Sequence, residues 1–153
     1  MLELTHTLSV NPPNQPVLSI DSLWSGLLLR ILEPMRFTVG LDGADILERS
    51  ESRYRRALHF GEHVVHDVVN VNHNKSVEFV TDATEKSPSG RLLIEIENRN
   101  PDELRLKFFY TTQFPEPSND EERALLEMIK NAYMAADMDM IRIIREYAEM
   151  TKH

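Results

Sequence analysis

Residues 91–150 decide the fold: RLLIEIENRN PDELRLKFFY TTQFPEPSND EERALLEMIK NAYMAADMDM IRIIREYAEM. The first part alternates. Leu92, Ile94 and Ile96 oppose Leu93, Glu95 and Glu97, and Leu104, Leu106, Phe108 and Tyr110 oppose Arg105, Lys107, Phe109 and Thr111. Period two puts successive side chains on opposite faces of a strand, so these are two half-buried strands. The turn Arg99-Asn100-Pro101-Asp102 is short enough to make them an antiparallel hairpin. Pro115-Glu116-Pro117 then breaks the pattern. Ser118-Asn119-Asp120-Glu121 has the spacing of a capping box, and a helix is predicted from there to about Met150. Its apolar residues Leu125, Ile129, Ala132, Ala136, Met140, Ile143, Tyr147 and Met150 recur at three and four. Acids crowd its first turn, and Arg142, Arg145 and Lys152 its last turns, as the helix dipole favours.

Upstream of this stretch, only strands are predicted from Ala44 onwards. They are Ala44–Ser50, Arg53–Phe60, His63–Val71, Ser76–Thr81, Arg91–Asn98 and Glu103–Phe114, separated by turn-type breaks. Before them, Ser19 to Leu32 reads as a shorter amphipathic helix, with Ser19 or Asp21 to cap it and Leu23, Leu27 and Ile31 at four-residue spacing. Pro34 either ends that helix or opens a short second one. At the start of the chain, Leu2, Leu4, Leu8 and Val10 alternate with polar residues and form a first strand, which the three prolines between Asn11 and Pro16 terminate. The fold class is α+β. A seven-stranded antiparallel sheet must cover one apolar face, and it has only the two helices to do so. A sheet curved around the long C-terminal helix leaves space between them for a small apolar ligand. One domain spans residues 1–153.

Composition excludes other classes. The 153 residues carry 17 Lys plus Arg against 25 Asp plus Glu, a net charge of −8. Such a chain is poorly suited to nucleic acid or to an anionic membrane surface, which need clustered cations. No Cys is present, so a disulfide scaffold, a thiol nucleophile and Cys-ligated metal are all excluded. With no export signal and no apolar stretch of membrane-spanning length, a cytoplasmic location is expected. No nucleophile elbow, P-loop or dinucleotide fingerprint occurs, so no cofactor is expected.

The chain resembles a known family in four stretches: Leu23-Trp24-Ser25-Gly26-Leu27, Glu33-Pro34-Met35-Arg36-Phe37-Thr38-Val39-Gly40, Tyr54-Arg55-Arg56 and Ala132-Tyr133-Met134-Ala135-Ala136-Asp137. Its layout resembles the helix-grip fold of the START and birch-pollen-allergen superfamily, also called SRPBCC. These stretches are similar to the small AtaL-like branch of it. The resemblance implies a cavity for hydrophobic ligands. Members of the superfamily bind lipids, sterols or polyketides, and some are cyclases or hydroxylase subunits. The branch has no agreed activity to carry over.

Several residues are candidates for the site. His6 sits on the apolar face of the first strand and either is paired within the core or lines the cavity as a hydrogen-bonding or proton-transfer group. Of Arg55 and Arg56 one must point inward, to meet a buried carboxylate or the acidic end of a ligand, unless the strand lies at an edge and both reach water. The expected cavity walls add Trp24, Leu28, Ile94, Phe108, Tyr110, Tyr133 and Met140. No metal site is expected. His63 and His66 face opposite ways on a strand, only His59 and His63 could meet across a turn, and Asp137 and Asp139 diverge on their helix. The expected function is binding of a small hydrophobic molecule. The alternatives are a cyclase, dehydratase or isomerase that uses His6 or the inward arginine, and an interaction module with a closed cavity. Met134, Met138 and Ile141 form a second stripe on the long helix, opposite a core stripe centred near Ile129 and Ile143, and so suggest a homodimer contact.

Overall fold

The computed structural model describes residues 1–100 and 103–151. Its elements are β1 (Leu2–Ser9), α1 (Ile20–Leu32), a 3-10 turn (Pro34–Arg36), β2 (Gly43–Arg49), β3 (Arg53–Phe60), β4 (His63–Asn72), β5 (Ser76–Thr81), β6 (Gly90–Asn98), β7 (Leu104–Thr112) and α2 (Asp120–Met150). The strands form one antiparallel sheet in the order β1-β7-β6-β5-β4-β3-β2. Sequential hairpins run from β2 to β7, and β1 closes against β7 with His6 opposite Phe108 and Leu4 opposite Tyr110. This is the helix-grip architecture. Pro101 and Asp102 of the last predicted turn, and Lys152 of the predicted basic terminus, lie outside the described residues.

Hydrophobic alternation sets the sheet's faces. Even-numbered residues of β1, β3, β6 and β7 and odd-numbered ones of β4 and β5 share the concave face, in register from strand to strand. One row runs His6, Phe108, Ile94, Val77, Val71, the next Leu4, Tyr110, Leu92, Phe79, Val69, Tyr54, and a third Leu2, Thr112, Gly90, Thr81, Asp67, Arg56. β2, at the edge, is bulged between Ile46 and Glu48.

Ser19 caps α1, its side chain accepting from the Ser22 N–H at 3.1 Å. At the far end of α1, the Arg56 guanidinium donates to the Ile31 carbonyl at 2.9 Å, so a cation on β3 satisfies a terminal acceptor of the helix. For α2 the cap is Asn119 and not Ser118, because the Asn119 side chain accepts from the Glu122 N–H at 2.8 Å. Glu122 in turn accepts from the Ser118 N–H at 2.9 Å, and these Ser118 bonds hold its carboxyl below the ordinary carboxylate range. The basic end of α2 is not built as predicted. Arg145 turns away from the terminus and donates to the carbonyls of Val10 and Pro16, pinning the proline-rich segment after β1.

The helix α2 is also rotated from its predicted setting. Its buried residues are Asp137, Met140, Ile141 and Ile144, while Leu125 and Met128 lie in solvent. The face against the sheet is therefore turned by about a quarter revolution from one centred on Ile129 and Ile143. The reason is Asp137. It stands at the centre of the buried face, where hydropathy counts against it, and it is held there by polar partners on the sheet. Ile141 is consequently core and Met134 half-buried, leaving only Met138 of the proposed dimer stripe fully exposed. The stripe does not exist as a surface patch, and the homodimer suggested from it loses its basis.

The core fills one end of the space between sheet and helices. Trp24, Leu27, Ile94, Phe108 and Ile144 pack there, all buried. The helices approach closely at Gly26. A Cβ added at that position would lie 2.4 Å from Ile144 Cγ2, so only glycine fits the crossing.

Candidate functional site

Beyond that filled end the concave face opens into a cavity of about 370 Å³. Its floor is the sheet, with Leu58, Phe79, Leu92, Tyr110 and Thr112. Its sides are the end of α1 (Arg30), the segment from Pro34 to Leu41, the loop before β6, and Tyr133 of α2. Exposed Thr38 and Arg91 stand among the walls, so the cavity meets solvent on that side.

One buried carboxylate organises the wall nearest α2. Asp137, fully shielded, accepts from the Tyr110 hydroxyl at 2.7 Å through Oδ1, and its Oδ2 lies 2.7 Å from His6 Nε2. The three residues come from β7, α2 and β1. The His6 ring stacks on Phe108 at 4.9 Å between centroids, and Tyr110 stacks on Tyr133 at 4.5 Å. The Tyr133 hydroxyl lies 3.2 Å from Thr112 Oγ1. Each ring of the network is thus fixed by a neighbour, as groups that hold a defined geometry require. Burial raises the pKa of Asp137, against the opposing pull of its bonds to Tyr110 and His6 and the charge of Arg30. Burial and the adjacent Asp137 push the Tyr110 hydroxyl far above its ordinary value, so it is a neutral phenol.

Two arginines face the aromatic floor. Arg56 is buried and engages Asp67, its cross-strand neighbour, through Nε at 2.9 Å and Nη2 at 2.5 Å, a bidentate pair. Arg30 differs. Its guanidinium lies 5.1 Å from the centroid of Phe79 and contacts Met140 Sδ at 2.8 Å, and no carboxylate of the described residues comes within ion-pair distance. A cation on a cavity wall with no carboxylate in direct contact has donors free for negative charge or for a carbonyl oxygen.

Of the residues singled out in the sequence, Arg56, Tyr110 and Tyr133 line the cavity; Met140 touches lining Arg30, and His6 stands behind the wall, joined to lining Tyr110 only through Asp137. Trp24, Leu28, Ile94 and Phe108 do not line it. They belong to the filled end, with Trp24 edge-on to His73 at 5.4 Å. Arg55 points to the opposite face and meets Glu48 at 3.4 Å, because it alternates with inward Tyr54 and Arg56. The two histidines considered as a pair lie apart in their contacts. His59 Nε2 is 2.7 Å from Asp45 Oδ2, while His63 stands opposite Phe60. Sequence reasoning weighed Asp137 only as a metal ligand and passed over Arg30 and Asp67 as site residues. Asp137 had a signal, an acid at three- and four-residue spacing from Tyr133, Met140 and Ile141 and two turns before Ile144. Asp67 had a weaker one, an acid between the apolar residues Val65 and Val69 on one strand face.

The family described as Acetylaranotin biosynthesis cluster protein L, AtaL, matches residues 4–151. The chain belongs to the AtaL family. No curated protein matches it in sequence. Among solved structures, the AtaL-family chain is similar to the Zhui aromatase/cyclase from Streptomyces sp. R1128, with a TM-score of 0.67 and 14% identity over 97% of this chain and 94% of that one. It also superposes on the di-domain ARO/CYC StfQ of the steffimycin biosynthetic pathway, with a TM-score of 0.73 and 12% identity, covering 97% of this chain and 51% of that one, about half its length. Ara h 8.0201 matches with a TM-score of 0.59 and 9% identity over 97% of this chain and 98% of that one. At these identities what is shared is the fold. No helix of the described residues is long and apolar enough to cross a membrane.

Proposed function

We propose that this AtaL-family protein binds a small hydrophobic molecule, aromatic in character and bearing a carbonyl or acidic oxygen, in the cavity between sheet, α1 and α2. The observation that carries this reading is Arg30. It faces a cavity floored by Phe79, Leu58 and Leu92 and has no carboxylate within ion-pair distance among the described residues. A volume of about 370 Å³ lies within the range of small-molecule pockets. Apolar walls with few placed polar groups favour rings, and the guanidinium fixes which end of the ligand points at α1. The aromatase/cyclase titles among the structural relatives agree with a ring-shaped ligand. An interaction module with a closed interior is disfavoured by the open volume itself.

The test uses 2-naphthoate as a probe, titrated against labelled protein by NMR. The expected result is chemical-shift change concentrated on Phe79, Leu92, Tyr110, Thr112 and Tyr133. Arg30→Gln should weaken binding about tenfold to a hundredfold, the loss of one charge-assisted hydrogen bond worth roughly 1.5–3 kcal/mol. Shifts confined to other surfaces, or equal affinity in the variant, would refute the reading.

A further inference from the structure

The structure assigns a proton-transfer role to the wall that Asp137 organises: we infer that the Tyr110–Asp137 pair removes a proton from the carbon next to a bound ketone, so that the cavity is a site of enolisation. The inference rests on the binding reading, because it needs the ligand carbonyl at Arg30.

The argument begins with what burial demands. A carboxylate with no solvent exposure is costly unless it is paired. The structure pairs Asp137 with two titratable groups, Tyr110 and His6, and with no Arg or Lys among the described residues. A purely structural anchor for α2 would be served by an amide or a threonine, and the buried ion pair elsewhere in the same cavity uses an arginine. Tyr110 is the member that lines the cavity, and its one proton already points at Asp137 Oδ1 over 2.7 Å. Its oxygen is therefore left with acceptor capacity.

The step balances without any co-reactant. Tyr110 Oη takes the proton from the ligand carbon as its own proton passes to Asp137 Oδ1. The electron pair of the broken C–H bond becomes the carbon–carbon double bond of the enolate, and the carbonyl oxygen carries the charge. Arg30 faces that charge from the cavity wall, and its field already reaches both Tyr110 and Asp137. Return of the proton to the same carbon gives exchange. Its return elsewhere gives isomerisation. The raised Asp137 makes it a better acceptor than an ordinary carboxylate. His6, its ring held on Phe108, keeps the carboxyl oriented, and its partly exposed ring links the carboxyl to solvent on the side away from Tyr110. Tyr110 touches the ligand in this scheme, and Asp137 and His6 act through it.

The experiment follows exchange of the C1 protons of 2-tetralone for deuterium by NMR in D₂O, with binding of the same probe read from protein shifts. Wild type should accelerate exchange above buffer. Tyr110→Phe and Asp137→Asn should each remove about a hundredfold or more of that acceleration, the scale of general-base catalysis, with rates compared at saturating probe so that any change in binding is set aside. The wild-type rate should also fall towards acid pH as Asp137 takes its proton, a limb absent in Asp137→Asn. Tyr110→Phe preserves ring packing, so it decides the matter should Asp137→Asn fold poorly. A probe that binds at the cavity yet exchanges at the buffer rate would overturn enolisation and leave binding intact. A probe that does not bind would overturn both.

Discussion

Asp67→Asn should destabilise the protein by about 3–5 kcal/mol, the cost of breaking one side of a buried ion pair. Arg56 and Asp67 are 3% and 4% exposed, so neither head reaches water. In the variant Arg56 keeps the Ile31 carbonyl at 2.9 Å and the face of Phe79, its centroid 5.5 Å away, but no anion. Asn can accept one of the two Asp67 bonds and must turn an NH₂ towards a guanidinium, so the bidentate arrangement is lost. Urea unfolding followed by circular dichroism measures the effect. With a slope of about 2 kcal/mol/M, the midpoint should fall by roughly 1.5–2.5 M. The double variant Arg56→Met, Asp67→Leu should recover most of this, because apolar residues of similar volume often replace a buried pair at little cost. A single-variant loss below about 1 kcal/mol would refute the reasoning, since the site would then be hydrated. So would a double variant that is worse than the single.

Gly26→Ala should destabilise by about 1–3 kcal/mol through overpacking, less the roughly 1 kcal/mol that alanine gains in a helix, and Ile144→Val in the same chain should relieve part of it, as thermal unfolding will show. Asn119→Ala should cost about 1 kcal/mol and increase amide exchange in the first turn of α2. The raised pKa of Asp137 fixes a sign: between that value and the ordinary 3.8, the folded state holds a proton that the unfolded state lacks, so this group's contribution to stability rises as pH falls through that window. Comparison of wild type with Asp137→Asn between pH 7 and pH 4 should show the difference moving in favour of wild type, and a parallel pH dependence would count against the assignment.

The strands and their faces were legible because alternation is a strict period of two. Leu92, Ile94 and Ile96, and Leu104, Leu106, Phe108 and Tyr110, lie on the concave face as their spacing requires. The rotation of α2 was not legible, because the residue that sets it is an acid whose partners sit more than twenty residues away, at Tyr110, and at His6. Nor was the position of the cavity along the strands. Alternation says which face a residue occupies, not where along the strand a helix pair fills the space. That was decided at Gly26 and Ile144, where close approach brings Trp24, Phe108 and Ile94 into a filled core and leaves the row of Tyr110 and Leu92 beside open volume. The inward arginine was undecidable from Tyr54-Arg55-Arg56 alone, because either register satisfies the pattern. Asp67 opposite Arg56 resolves it.

The sheet ends in two strands that have a partner on one side only, and each end carries its own defence. An unpaired strand edge is a template on which further strands, from other copies, can add. β1 is partly overlaid where α2 brings Asp137 to His6, and its outward residues Glu3, Thr5, Thr7 and Ser9 are polar. β2 has exposed Ile46 and Leu47, a sticky combination, but the ladder slips between Ile46 and Glu48, and Asp45, Glu48 and Arg49 place charge beside them. The bulge spoils the straight register that stacking needs, and burying these charges against a second copy would cost them their hydration. A sheet with an open cavity on its concave face is thereby kept from polymerising along its own hydrogen-bonding direction.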